Sequence, residues 1–242
     1  AQMYMRRLPN VIRPGVAVTI PTFAGPILLI DVGANIEPKP THLAQYGVMG
    51  DIYCRRILGM DSPRVGLMNV GGEEAKGTSE VKEARDLLKD TSNIDFIGYV
   101  EGRGVFNGEA DVVITDGIVG NVMIKLAEGL SSGIFKAIAN EVFSIDPELA
   151  MRFEPVVKSL YAKHDYHEYG GAPLLGVNGV CMISHGSSIG RTMTNAIKRA
   201  RDFVKSGVND AMVEALAKQE STLNFLLVIT ILMMRVEFLF FP

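Results

Sequence analysis

The sequence predicts an α/β protein, a mostly parallel sheet with helices on both faces. Two observations carry this. Short β-rich runs alternate along the chain with segments whose apolar residues recur at helical spacing, the mark of strand–helix–strand units. Several of the strand-like runs also end in polar, glycine-bearing turns, and open α/β sheets bind ligands at such strand ends. Composition agrees, because 25 glycines with no tryptophan suit a glycine-punctuated α/β chain better than a sandwich.

Taken in order, "VAVTIPT" (16–22) and "PILLIDVG" (26–33) are β-rich runs separated by Phe23-Ala24-Gly25, a hairpin-like spacing. "PTHLAQYGVMGDIYCRRIL" (40–58) enters on Pro-Thr and continues with helical periodicity. "RVGLMNVG" is the next strand, and "SEVKEARDLLKDT" is an amphipathic helix with Ser79 as its candidate cap. "IDFIGYVEG" and "ADVVIT" follow as strands. Residues 122–163 read as two helices joined near "SIDPE", a pair longer than covering a sheet requires, with Pro155 marking a kink in the second. One face of the first carries Ile134, Phe135, Ile138, Val142 and Phe143. Such a projecting pair suits a core, a sister subunit or a membrane surface. "GVCMISHGSS" repeats the strand-to-turn pattern, and "TMTNAIKRARDFVKSG" is the helix after it.

The 242 residues suffice for one large domain, or a core with one sub-lobe. A net charge of −3 provides no general basic field, which argues against a nucleic-acid partner. Cys54 and Cys181 are too few for a disulfide framework or a zinc cluster, so a reduced, cytoplasmic setting is expected. The first residues lack the apolar core of a signal peptide. The segment 220–242 is apolar nearly throughout, and the uninterrupted run is short for a bilayer span. It reads as a buried element, a segment foreign to the domain, or a membrane-contacting tail.

Four turns are expected at the carboxyl ends of strands: Asp31 to Asn35, Asn69 to Glu73, Thr115 to Asn121, and Ser184 to Ser188. In the last, Gly186 allows close backbone approach, while Ser187 and Ser188 can cap the following helix and donate hydroxyls to phosphate. His185 lies between Ser184 and Gly186. In Asp116-Gly117-x-x-Gly120-Asn121 the amides of a helix start could meet an anion, and Asp116 would orient a neighbour or bind a hydroxyl rather than face phosphate. Asp31 and Asn35 either line a pocket or begin a turn. Lys163 to Gly176 is the densest polar stretch, a candidate loop over a substrate with Tyr169 at its edge and Gly170-Gly171 as hinge. His164 and His167 have ligand-like spacing, but nothing else supports a metal. No Walker-type turn, Gly-x-Ser-x-Gly elbow or dinucleotide fingerprint occurs. No cofactor is expected.

"DVGAN", "NVGGEEAKG", "GYVEGRGVFNGEADVVITDGIVGNVMIKLAEG", "DYHEYGGAPLLGVNG" and "HGSS", in that order, resemble the bacterial phosphate acyltransferases of phospholipid synthesis. The likeness runs from about Pro14 to about Gln219, so residues 1–219 are expected to be part of that domain. It implies a three-layer α/β/α fold related to isocitrate and isopropylmalate dehydrogenases and to phosphotransacetylase. The implied reaction joins acyl-acyl carrier protein and inorganic phosphate to give acyl phosphate and free carrier. A cytoplasmic homodimer with peripheral membrane contact is implied too. The family's amino-terminal segment with its glycine-rich turn has no match here, so the chain reads as the carboxyl-terminal portion of such an enzyme.

On this reading Gly186, Ser187 and Ser188 hold phosphate, and Asn121 with the backbone of Gly117 to Gly120 supplies oxyanion donors. His185 moves a proton. Asp31 and Asn35 order the pocket, and Lys198, Arg199, Arg201 and Lys205 form a docking patch for the acidic carrier. Two competing expectations are an NAD-linked dehydrogenase of related fold and a non-catalytic, dimerising remnant.

Overall fold

The computed structural model describes residues 2–22, 24–163, 171–184 and 190–219. A hairpin stands at the middle of its sheet. β1 (Gly15–Thr22) pairs antiparallel with β2 (Gly25–Ile30) from Thr22↔Gly25 up to Ala17↔Ile30. Gly25 takes φ +125°, open to glycine alone without strain, and Thr22 Oγ1 donates to its carbonyl at 2.7 Å. The hairpin expected from the spacing of residues 16–33 is therefore present.

A short helix α1 (Gln2–Met5) precedes the hairpin. After it come α2 (Pro40–Tyr53), a π-helical turn (Cys54–Leu58), β3 (Arg64–Met68), α3 (Ser79–Lys89) and β4 (Asp95–Val100). Then follow α4 (Gly102–Phe106), β5 (Val112–Ile114), α5 (Gly117–Ile145) and α6 (Pro147–Lys163). The described chain closes with β6 (Ala172–Leu175), β7 (Met182–Ile183), α7 (Gly190–Lys205) and α8 (208–219).

The seven strands lie in the order β4-β3-β5-β2-β1-β6-β7. β4, β3, β5 and β2 are mutually parallel, whereas β1–β2, β1–β6 and β6–β7 are antiparallel. The sheet is thus mixed, a correction to the mostly parallel sheet expected. The reason is local. Two-residue and short glycine-rich connections reverse the chain at one half of the sheet, and only the other half is built through helical crossovers.

β2 shows why its sequence is a continuous apolar run. Leu28 and Ile30 face one core with Leu43, Tyr46 and Met49 of α2, Leu88 of α3, Phe203 of α7, and Met212 and Leu216 of α8. Ile27 and Leu29 face the other, with Val105 of α4 and partly buried Met123 and Ile124 of α5. A strand buried on both faces has no polar side to alternate with. Each such side chain contributes about 1.5–3 kcal/mol.

The α3 cap is one residue earlier than expected. Thr78, in extended backbone, accepts from Val81 N–H at 3.3 Å, and Ser79 is the first helical residue. A cap of this kind contributes about 1 kcal/mol. At the opposite end of the parallel strands, Arg64 grips Asp111 with its backbone N–H (2.8 Å), Nε (3.0 Å) and Nη2 (3.0 Å). Burial alone would raise the Asp111 carboxyl, but these donors outweigh it and hold it below the usual carboxylate range. A folded value below the unfolded one adds stability above the unfolded value, about pH 4, and loses it as acid titrates the folded carboxylate. Asp111→Asn is therefore expected to be less stable than the parent at pH 7, with the gap closing toward about pH 3. Urea unfolding at the two pH values checks this.

α5 starts at Gly117, five residues before the expected boundary of 122, and α6 begins where Asp146 Oδ1 accepts from Glu148 and Leu149 N–H at 2.9 and 3.2 Å. The two helices enclose a groove of about 460 Å³ lined by Ala139, Val142, Phe143, Ala150, Phe153 and Val157, among others. Ile134, Ile138 and Phe143 keep 49%, 40% and 62% of their surface exposed. Among the described residues α5 is long and apolar enough to cross a membrane, by length and composition only.

Candidate functional site

Three of the four expected turns gather at the carboxyl ends of β2, β3 and β5. The turn after β2 is built around Asp31, which is fully buried. Its Oδ1 accepts from the N–H groups of Val16 (3.0 Å), Gly33 (3.2 Å) and Ala34 (3.1 Å). Its Oδ2 accepts from Asn35 N–H (2.7 Å) and Asn35 Nδ2 (3.0 Å). A buried carboxylate needs its lone pairs met by donors, and five surround this one. Asn35 Nδ2 also reaches the Pro14 carbonyl at 2.8 Å and Tyr46 Oη at 2.6 Å.

The start of α5 is fastened to this turn. Gly117 N–H donates to the Asn35 carbonyl at 2.8 Å, Asp31 N–H to the Thr115 carbonyl at 3.0 Å, and Asn121 Nδ2 to the Val32 carbonyl at 3.2 Å. The glycines make this approach possible. A Cβ on Gly117 would lie 2.6 Å from the Asn35 carbonyl oxygen, and one on Gly120 only 2.0 Å from that of Asp31. Asp116 is the helix cap, with Oδ1 accepting from Ile118 and Val119 N–H at 2.8 and 2.9 Å. The amides of 33–35 and 117–119 are therefore engaged within the protein. Of the expected oxyanion donors, the free capacity that remains is the second N–H of Asn121, standing at the positive end of α5.

The turn after β3 is closed by Asn69, whose Nδ2 donates to the carbonyls of Gly71 (3.0 Å) and Lys76 (3.2 Å). Lys76 pairs with Glu73 at 2.8 Å on the surface. Beside the first turn, α2 begins with Lys39 N–H donating to His42 Nδ1 at 3.0 Å. Burial, helped by the charges of Arg13 and Lys39, holds that imidazole below its ordinary value. Among the described residues no cluster of His, Cys, Asp and Glu is placed to hold a metal ion.

β7, the strand before the fourth expected turn, runs in the other sense. Three successive antiparallel pairings, β2–β1, β1–β6 and β6–β7, make β7 run opposite to β2. Ser184 is the last described residue before the fourth turn, which otherwise lies outside the described residues. The alternation rule assumes a helix between strands, and β6 and β7 have none. Gly171, at φ +85°, lies against Ile183, where a Cβ would be 3.0 Å from its carbonyl oxygen. His164, His167, Tyr169, Gly170, His185, Gly186, Ser187 and Ser188, and the segment 220–242, lie outside the described residues. Tyr46 escaped the sequence reading, since nothing in residue type or spacing distinguishes it from ordinary core.

The fold is similar to that of solved phosphotransacetylases. EutD phosphotransacetylase from Staphylococcus aureus matches with a TM-score of 0.56 at 18% identity, covering 84% of this chain and 58% of that one. A phosphotransacetylase from Streptococcus pyogenes matches with a TM-score of 0.54 at 15% identity, covering 83% and 57%. The chain belongs to the fatty acid synthesis protein family, whose profile matches residues 1–211. The phosphate acyltransferase of Geotalea uraniireducens is 44% identical over 214 residues, 88% of this chain and 62% of the relative. That of Halothermothrix orenii is 47% identical over 206 residues, 84% and 61%. The chain thus spans about six-tenths of the length of these relatives.

Proposed function

We propose that the protein acts as a phosphate acyltransferase, forming acyl phosphate from acyl-acyl carrier protein and inorganic phosphate for phospholipid synthesis. The observation that carries this is 44% identity over 88% of the chain to a protein of that name. Such relatives favour acyl transfer over the dehydrogenase and remnant readings. Kinship of fold with isocitrate and isopropylmalate dehydrogenases belongs to the same proposal.

In this reaction a phosphate oxygen attacks the thioester carbonyl carbon, the C–S bond breaks, and the carrier thiol leaves with a proton. Phosphate is already nucleophilic at neutral pH, so the protein's task is to position it and stabilise the oxyanion. Asn121 is the proposed oxyanion donor. His185, Gly186, Ser187 and Ser188 keep their proposed roles in proton transfer and phosphate binding, with Tyr169, Gly170 and Gly171 over the substrate. Lys198, Arg199 and Lys205 on α7 are the proposed docking patch for the acidic carrier. Arg201 is paired with Asp202 at 3.0 Å and contributes less.

The groove between α5 and α6 begins at Ala139, about 33 Å along the helix from Gly117 at 1.5 Å per residue. That exceeds an extended sixteen-carbon chain, so Val122 and Leu126, exposed on the early turns of α5, are better placed to meet a reacting acyl group. The distal apolar surface is the proposed contact with a membrane or a sister subunit. Phe143→Asp is expected to lower co-sedimentation with anionic vesicles severalfold while leaving the thermal midpoint unchanged. No vesicle binding by the parent, with a dimer in sedimentation equilibrium, would assign the surface to a second copy.

The function is tested by thiol release from palmitoyl-acyl carrier protein with and without phosphate. Phosphate-dependent release is the expected result. Its absence from a chain folded by circular dichroism would overturn the proposal for this chain.

A further inference from the structure

We propose that Tyr46 is a positioning residue of the site, setting the turn after β2 and, through it, the start of α5. This rests on the acyl-transfer reading for its consequence but not for its structural content. Tyr46 lies on α2, fully buried, with its ring packed 3.1 Å from where a Cβ on Gly15 would stand. Its hydroxyl is 2.6 Å from Asn35 Nδ2, which donates to it. Burial first, then the nearby Asp31 charge, push its ionisation far above the ordinary phenol value. The hydroxyl is therefore a neutral dipole at every working pH.

The geometry gives this dipole leverage. Among the described residues Asn35 is the one that hydrogen-bonds the Asp31 carboxylate with both backbone and side chain, and its carbonyl receives Gly117 N–H at 2.8 Å. Asn121 is fastened to the same turn through Val32. A shift of Asn35 thus moves the helix start on which Asn121 stands. The Pro14 carbonyl and Asp31 Oδ2 fix which end of the Asn35 amide faces inward, because both are acceptors. Tyr46 completes that cage from the α2 side, so α2 transmits the position of the core to the site.

Tyr46→Phe removes the hydroxyl and keeps the ring. Amide hydrogen exchange in peptides covering 31–36 and 115–121 is expected to speed up in the variant, while peptides from β3 and β4 are unchanged. This arm does not depend on activity, so it stands even if the parent releases no thiol. In an active parent, kcat/KM for phosphate is expected to fall by up to about 100-fold, as a misplacement of about 1 Å can cause. In an Asn35→Ala background the same Tyr46→Phe change is expected to have almost no further effect, since residues acting through one contact are not additive. Unchanged exchange in both peptides would overturn the proposal. So would a full additive loss in the double variant, or a uniform rise in exchange across the whole sheet, which would mark Tyr46 as ordinary core.

Discussion

Replacing Gly120 with alanine is expected to cost about 3 kcal/mol, the upper end of what overpacking costs, and to abolish phosphate-dependent acyl transfer. The added methyl would stand 2.0 Å from the Asp31 carbonyl oxygen and 3.0 Å from Thr115 Cγ2. The first of these is backbone, in a turn held by the Asp31 carboxylate, and cannot swing aside as a side-chain tip would. Relief requires the first turn of α5 to back away, which breaks the hydrogen bonds from Gly117 to Asn35 and from Asn121 to Val32. For a chain of this length the thermal midpoint should fall by roughly 10 °C. Gly117→Ala, with its nearest approach at 2.6 Å, should fall by less. A Gly120→Ala midpoint equal to the parent's would show that the helix start is not pinned as described.

The second large effect is expected at Asp31. Asp31→Ala takes the acceptor from the amides of Val16, Gly33, Ala34 and Asn35, all within 3.2 Å of the carboxylate, while Asn35 Nδ2 keeps Pro14 and Tyr46. The buried Val16 amide left unpaired costs about 1–3 kcal/mol, the part-buried amides of 33–35 add less each, and whole domains hold only about 5–15 kcal/mol in reserve. The variant is expected to be largely unfolded by far-ultraviolet circular dichroism. Asp31→Asn, which turns a donor toward amides that are themselves donors, should fold with a much lower urea midpoint. A stable, folded but inactive Asp31→Asn would instead put Asp31 in the chemistry, where the sequence alone left it between pocket and turn.

Most of the element order was legible because local chemistry wrote it. The hairpin was readable from three residues between two β-rich runs, and α3 from its apolar spacing, with its cap misplaced by one because Thr78 and Ser79 are equally good caps. β6 was not legible, and of β7 the strand was read in "GVCMIS" but not its short extent or its direction. Four and two residues long, they lie in a glycine-rich stretch too short to show any period. Their direction follows from pairing, which single-sequence patterns do not encode. The five-residue α4 was missed for a similar reason, while α8 was missed although Val208, Met212 and Leu216 are buried at helical spacing.

The site was legible in place more than in role. Asp31, Asn35, Gly117, Gly120 and Asn121 come together at one edge, yet Gly117 and Gly120 are small for the sake of backbone packing. A sequence cannot distinguish a glycine that makes room for a ligand from one that makes room for another chain segment. Asp31 and Asp116 both precede small residues, and only their neighbours separate a buried hub from a helix cap. Tyr46 was invisible, because an aromatic at helical spacing predicts burial and is silent about what its hydroxyl touches.

The central hairpin has a consequence for how the molecule comes to exist. β1 and β2 meet across a connection so short that closing it costs little entropy and takes microseconds. β5, the other neighbour of β2, arrives only after the chain has passed through β3, β4 and three helices, and such distant pairings are slow. The hairpin therefore supplies a template with two open edges, one receiving the parallel strands and the other β6. Both halves of the sheet are copied outward from a seed that the chain can make by itself.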